Sequence, residues 1–464
     1  MIKKIALHIT PAIILSLVSV LCHWHDDTLR TDNRLFRIMM SEKHPWMDTW
    51  NAAGLKTHSL EAHNMIDLYY HSRKGDYRRT MDPAKLNQYG ISTSGYKPLD
   101  GIDFTGSFHY SRNEEKDIQW LAMMDPNRGN PFFLADSVGG DWKKNFYTLQ
   151  MGMGTIPLWK GIRLGLSARY RVAKGGRDND PRPGSLIKDF SILPAMVWEP
   201  APKYQLGFNL YYSDYRQDIN IINKYGVGGN VLYKIIGISL LEQPLVKPYL
   251  NYRIDRWSRG GSIQFHTSTD RLNITVQGTY RLNREKATQH PYRAMEDPEN
   301  QKIISLAKSD IRFSEQVIEG LIQTGIQTSG HFHKISLMST MAEGKTYHVA
   351  TEQVEYTGNR FISAVNYKLI PNQPRYYLKL RSEYSTHTLK NLFYGRQQID
   401  KLTFSATGES IFHISSLELA GQLTLGYSQT IHSILDIHPQ SEFIQENFDI
   451  TDPYVKHNYN LMAS

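Results

Sequence analysis

An apolar alternation with a period of two, recurring over most of the chain beyond residue 100, limits the fold more than any other feature. From Ile162 to Ala173, the residues Ile162, Leu164, Leu166, Ala168, Tyr170 and Val172 fall on one face, and Arg163, Gly165, Ser167, Arg169 and Arg171 on the other. A helix repeats every 3.6 residues and cannot sort side chains in this way, so the stretch predicts a strand with one apolar and one polar face. Phe104, Phe108 and Tyr110 alternate with Thr105, Ser107 and His109, and Tyr204, Leu206, Phe208, Leu210 and Tyr212 with Gln205, Gly207 and Asn209. Ile274, Val276, Tyr280 and Leu282 oppose Asn273, Thr275, Gln277, Thr279 and Arg281, and Leu417, Leu419, Leu423, Leu425 and Tyr427 oppose Glu418, Gln422, Thr424 and Ser428.

The runs are about ten residues long, which is the length of a tilted strand crossing a bilayer. A soluble sandwich would carry strands nearer five or six residues, and a propeller would repeat every 40 to 50 residues, a period not found here. Short links such as Ile156 to Gly161 and Glu199 to Lys203 alternate with longer polar ones such as Lys174 to Leu186 and Asn283 to Gln301. Tight turns at one end and longer loops at the other are what an outer-membrane barrel has. The expectation is therefore an all-β, transmembrane antiparallel up-and-down β-barrel. At about 25 residues per strand with its connection, the chain from Asp103 onward gives roughly 14 strands, in a range of about 12 to 16. Composition agrees: 40% hydrophobic residues and a mean hydropathy of -0.46 leave no second apolar stretch long enough for a membrane helix, whereas alternating faces cancel in such an average. The 28 Tyr, 17 Phe and 8 Trp suit interfacial girdles.

Lys3 and Lys4 precede an apolar run from Ile5 to Leu21, interrupted by His8 and Pro11 and followed by His23-Trp24-His25-Asp26-Asp27. This reads as a cleaved signal peptide over residues 1–22, with a retained anchor or acylation of Cys22 as the competing readings. Without Cys22, the only cysteine, the mature chain has no thiol and forms no disulfide or thiolate metal site. The net charge of +8 contains no long basic run, which argues against nucleic acid as a partner. Residues 23–102 lack sustained alternation at first, then offer short strands at Met65 to His71, Tyr77 to Met81 and Gln88 to Tyr96. This stretch predicts an N-terminal hatch or cap segment, or else a linker into extra strands, ahead of a barrel over 103–464.

Asn51-Ala52-Ala53-Gly54-Leu55, Asp136 to Asp141, Tyr170-Arg171-Val172-Ala173 and Arg177-Asp178-Asn179-Asp180-Pro181-Arg182-Pro183 together resemble an uncharacterised outer-membrane β-barrel family of Bacteroidota, a domain-of-unknown-function family. The resemblance spans nearly the whole mature chain and implies location and architecture but no activity. The Asn51 to Leu55 run is also similar to the Asn-Pro-Ala stretch of the long-chain fatty acid transporter family, with Ala52 where that family has proline. That likeness implies a 14-stranded barrel with an N-terminal hatch. The chain ends Asn458 to Ser464 without the aromatic residue usual at the end of such barrels. Two explanations stay open, a different family ending and a missing closing strand.

Arg163, Arg169 and Arg171 share the polar face of one strand, where they would favour anionic solutes or else pair with acidic side chains across the lumen. Asp178, Asp180 and Arg182, flanked by Pro181 and Pro183, could hold a ligand or simply tie the loop to its neighbour; Asp136 to Asp141 with Gly139-Gly140 predicts a turn. His331-Phe332-His333 and His23-Trp24-His25 are too isolated to make a metal set, and no metal or cofactor is expected. The functional expectation is transport or facilitated passage of a small solute, or an accessory role in an energised uptake system. Outer-membrane lipids, and a TonB-dependent receptor or a surface lipoprotein, are the partners in view. The alternatives are a structural platform for surface lipoproteins and an outer-membrane hydrolase. No Gly-x-Ser-x-Gly elbow or readable nucleophile and base supports an enzyme.

Overall fold

The computed structural model describes residues 42–463 apart from 43, 45, 47, 50, 58–61, 76–77, 79–80, 127, 224–230, 238, 245–248, 291–294, 297–302, 305–307, 350–352, 373–375, 393–394, 415–416 and 438–456. The signal peptide, Cys22 and the His23 to Asp27 stretch therefore lie outside the described residues, as does Tyr77. In chain order the strands are β1 (His63–Lys74), β2 (Lys85–Leu99), β3 (Ile102–Ile118), β4 (Phe132–Ala135), β5 (Gly140–Thr155), β6 (Ile162–Arg177) and β7 (Arg182–Ala201). They continue as β8 (Tyr204–Ile222), β9 (Val231–Ile236), β10 (Ser239–Pro244), β11 (Tyr249–Ser268), β12 (Leu272–His290), β13 (Met295–Glu296), β14 (Ile303–Ile304) and β15 (Lys308–Gln327). The last six are β16 (His331–His348), β17 (Gln353–Pro371), β18 (Tyr376–Asn391), β19 (Gly395–Ile414), β20 (Leu417–Ile437) and β21 (His457–Ala463).

Sixteen strands form one sheet, each antiparallel to the next; β4, β9 and β10 form a small second sheet, and β13 pairs only with β14. This is the all-β, antiparallel up-and-down architecture read from the alternation, at the upper end of the anticipated strand number. Among the described residues β1 and β21 are not paired with each other, so the sheet is not closed by backbone hydrogen bonds. Two further expectations change. The sheet begins at His63 and not at Asp103, because β2 pairs with β3 along its whole length and β1 with β2. The stretches 174–186 and 283–301 are also mostly strand, since β6 runs to Arg177, β7 starts at Arg182 and β12 continues to His290.

Strands are longer than the bilayer requires, reaching 21 residues in β20. The cause is visible on β8. Its outward positions Tyr204, Phe208, Leu210 and Tyr212 are exposed and apolar, but the next three on that face are Asp214, Arg216 and Asp218. The inward positions reverse the order: Asn209, Ser213 and Gln217 are buried first, then Ile219 and Ile221. β8 thus has an apolar stretch long enough to cross a bilayer and a charged extension, and only the first was legible as a simple alternation. The short turns, such as Asp100-Gly101 and Pro202-Lys203, join strands beside the apolar stretch, and Gly101 takes the positive φ of 89° that its turn needs. Longer connections leave from the charged end, including 119–139 between β3 and β5 and the β9–β10 excursion between β8 and β11.

Those two excursions fold inward. Leu121, Met123, Phe132, Leu134, Leu232 and Ile236 pack with Trp142 of β5, Ile187 of β7, Ile219 of β8, Ile254 of β11, Ile311 of β15 and Tyr356 of β17 in one buried apolar cluster. A twisted sheet of this width has to curl, and here it curls around its own inserted segments.

Candidate functional site

The inner face is occupied near the short turns by residues 42–57. Asn51 begins the 3-10 turn Ala52–Thr57, and its Oδ1 accepts the Ala53 N–H at 3.1 Å, the expected role of asparagine at a helical start. Its Nδ2 donates to the Met196 carbonyl at 3.1 Å and to Gln264 Oε1 at 3.1 Å, linking β7 and β11. Trp46, 2% exposed, donates its indole N–H to Gln205 Oε1 at 2.8 Å. The wall accommodates the segment through glycines on its inner face. A Cβ at Gly165 would collide with the Ala53 backbone, one at Gly154 with the Ala52 carbonyl, and one at Gly207 would lie 2.7 Å from the Trp46 ring.

Charges anchor the other end of the segment. Lys334, its side chain 2% exposed, bonds Glu42 at 2.9 Å and also pairs with Asp48, while Lys368 pairs with Glu42. Burial opposes ionisation of Glu42, but the two ammonium groups outweigh it and hold the carboxyl below the ordinary glutamate range. Lys56 reaches Asp103 at 2.6 Å. One short segment therefore touches β2, β3, β5 to β8, β11, β16 and β17.

At the opposite end the 119–139 connection is fastened by a buried ionic cluster. Arg128 bonds Glu285 at 3.0 Å, with side chains 3% and 0% exposed, and Asn130 donates to the same carboxylate at 2.8 Å. Arg256 bridges from Glu285 to Glu315, the latter at 3.1 Å. Below this plug lies a cavity of about 290 Å³ whose lining includes Glu115, Lys144, Asp125, Arg171 and Phe146.

Between the two obstructions the inner face forms a polar waist. One register row carries Ser107, Gln150, Arg169, Ser191, Ser213 and Ser258 side by side on β3, β5, β6, β7, β8 and β11. The three arginines read from the sequence share this face but differ in their partners. Arg163 bonds Glu199 at 2.8 Å, and Arg171 bonds Asp189 at 3.3 Å and Asp125 at 3.5 Å. Arg169 is exposed and has no ion-pair partner among the described residues.

The proline-flanked motif sits away from this chamber. Asp180 bonds Arg182 at 2.6 Å, Asp178 is exposed 3.7 Å from Lys143, and Pro183 belongs to β7. Asn179 donates to the Gly139 carbonyl at 2.7 Å, and Arg177 bonds Asp136 at 2.8 Å with both side chains fully buried. The loop is thus tied to the 136–141 turn, in which Asp136 Oδ1 accepts the N–H groups of Val138 and Gly139. Among the described residues no cluster of His, Cys, Asp or Glu has the geometry of a metal site; His331 and His333 bond Tyr376 and Tyr367.

A family model described as a family of unknown function, DUF6850, matches residues 52–464. The chain belongs to this family. No curated protein matches it. Among solved structures the DUF6850 chain is similar to the ferric yersiniabactin uptake receptor FyuA from Yersinia pestis, at 8% identity and a TM-score of 0.41. It is similar also to the siderophore receptor PiuA from Acinetobacter baumannii, at 10% and 0.39. These matches cover 87% and 83% of this chain but only 67% and 65% of the receptors, so the chain spans about two thirds of their length. A FadL homologue from Pseudomonas aeruginosa matches at 12% identity and a TM-score of 0.34, covering 90% of this chain and 91% of that one.

Sequence reasoning found the Asn51 to Leu55 run but missed Trp46, Glu42, Lys334 and Lys368, and the Arg128–Glu285 cluster. Inward glycines at 154, 165 and 207 were the available signal for a seat, since glycine within a strand marks close approach of another backbone. No local pattern announces Arg128, whose partner lies 157 residues away.

Proposed function

We propose that the sheet closes into a transmembrane barrel in the outer membrane of a Gram-negative bacterium, reached through the cleaved signal peptide, and that the barrel passes a small solute. The motif resemblance would put that bacterium among the Bacteroidota. One observation carries the reading: the polarity of the sheet is inverted, with Leu210, Ile263, Ile318 and Ile322 at least half exposed outward while Asn209, Gln264, Thr275 and Glu285 are buried inward. In water such a face would be an aggregation surface; facing lipid it is the favourable arrangement. Closure is part of the same reading, because an open sheet edge in lipid leaves backbone groups unpaired at several kcal/mol each.

Within that barrel, residues 42–57 act as a hatch at the short-turn end and the 119–139 plug guards the other mouth. The Ser-rich waist with the unpaired Arg169 gives weak preference for anionic solutes. The filled mouth also supports a second reading, in which the barrel is a surface platform or an accessory to a TonB-dependent receptor or lipoprotein. Bilayer reconstitution separates the two. Passage predicts low conductance that rises when residues 42–57 are deleted, and a reversal potential that shifts toward cations in Arg169→Gln. A barrel silent in both forms would overturn passage.

A further inference from the structure

Beyond the apolar stretch, the outward face carries a row of charges that is only partly balanced among the described residues. Cross-strand register sets Lys188 of β7 opposite Arg216 of β8, Arg216 opposite Asp255 of β11, Asp255 opposite Lys286 of β12, and Lys286 opposite Arg312 of β15. Asp255 pairs with Arg216 at 2.9 Å. Lys188, Lys286 and Arg312 have no ion-pair partner among the described residues. Like charges directly opposite each other destabilise a sheet, and here that happens twice, at Lys188–Arg216 and Lys286–Arg312. An anionic group lying along the row would relieve both contacts.

Its position says what that is. Phe190, exposed, is two residues from Lys188 on the same face, and Trp257 is two residues from Asp255, so the row borders the apolar stretch on β7 and β11, while Asp214 on β8 and Arg284 on β12 lie between. On the far side of the row an open cleft of about 1030 Å³ is lined by Lys174, Arg182, Arg253 and His290 together with Asp178 and Asp218, Arg253 pairing with Asp218 at 2.7 Å. A ligand fitting both must be an amphiphile with apolar chains against the band and more than one phosphate or carboxylate above it. We infer that this face binds a phosphate-bearing lipid of the leaflet into which the charged end projects, with Lys188, Lys286 and Arg312 holding its phosphates. The inference rests on the transmembrane barrel reading and adds a specific lipid partner to it.

Refolded full-length protein in neutral detergent is titrated with bisphosphorylated lipid A and followed by native mass spectrometry. The expected result is a retained complex that is about a hundredfold weaker in the triple variant K188Q/K286Q/R312Q and weakened likewise with dephosphorylated lipid A. Equal binding by the triple variant, or by lipid lacking phosphate, would overturn the inference. So would displacement of the lipid by inorganic phosphate at matching concentration, which would mark a free-phosphate site. Lys286→Gln, which removes the like-charge contact with Arg312 without creating one with Asp255, serves as a second variant should the triple misfold; lipid A binding equal to wild type in it would count against the inference. Insertion into phosphatidylcholine vesicles, read by protease protection, keeps the two readings apart. Failure to insert overturns the barrel and this inference with it, whereas insertion without lipid A binding overturns this inference alone.

Discussion

Replacing Trp46 by alanine should release the 42–57 segment while leaving the sheet intact. The ring is 2% exposed, packs against Gly54 and Gly207, and lies 6.1 Å from the His266 ring centroid. A buried tryptophan removes about 200 Å² from water, which at about 25 cal/mol per Å² is worth roughly 5 kcal/mol. Measured large-to-small replacements at such sites cost about 3–5 kcal/mol, and Gln205 would lose the indole donor besides. At about 1.4 kcal/mol per decade, local opening of the segment should become about two to three and a half decades more frequent. Hydrogen exchange of the amides of Ala53 and Gly54 reads this directly, with the wall strands as an internal control. Exchange within tenfold of wild type at those amides would refute the seat, and equal acceleration in β7 and β8 would mean that the tryptophan supports the sheet as a whole.

Gly165→Val should unseat the same segment from the wall side, because its Cβ meets the Ala53 backbone; protease sensitivity confined to residues before 58 is the expected signature, and unchanged digestion would contradict it. Glu42, whose carboxyl titrates lower in the folded chain than unfolded, stabilises the seat above the ordinary glutamate pKa of about 4.3, and that contribution is lost as pH falls through its folded value. Segment exposure should therefore rise on acidification below about pH 4 and be far less pH-dependent in Glu42→Gln. Arg128→Met leaves Glu285 buried with its main partner gone and should cost about 3–5 kcal/mol in urea unfolding, with the paired change Arg128→Met/Glu285→Met recovering part of it.

The alternation of Ile162 to Val172 and of Leu272 to Leu282 disclosed strand direction and face because each residue's role there depends only on its own parity. The charged halves of β8 and β11 were less legible, since parity is kept while polarity reverses, and a reader counting apolar positions sees a loop. Lys174 to Leu186 illustrates this: Lys174, Arg177, Arg182 and Ser185 belong to strands that have left the apolar zone, and only residues 178–181 form the connection. The site was harder still. Asn51 is recognisable as a helical start, but its partners Met196 and Gln264 are set by the packing of distant strands, and Glu42 gains meaning only beside Lys334 and Lys368. Of the three arginines, the partners of Arg163 and Arg171 were foreseeable in kind. That Arg169 alone lacks one depends on the register with Ser191 and Gln150, which no single-strand pattern contains.

The central claim is that the exposed apolar face meets lipid. Cys22 is the only cysteine, so single cysteines can be placed along β8 in a chain with Cys22 replaced, labelled with a fluorophore and studied in vesicles. Brominated lipid should quench labels at 206, 208 and 210 and spare those at 205, 209 and 211, a period of two that ends by 214. Equal quenching at both parities, or access of an aqueous quencher to 206, 208 and 210, would contradict the barrel.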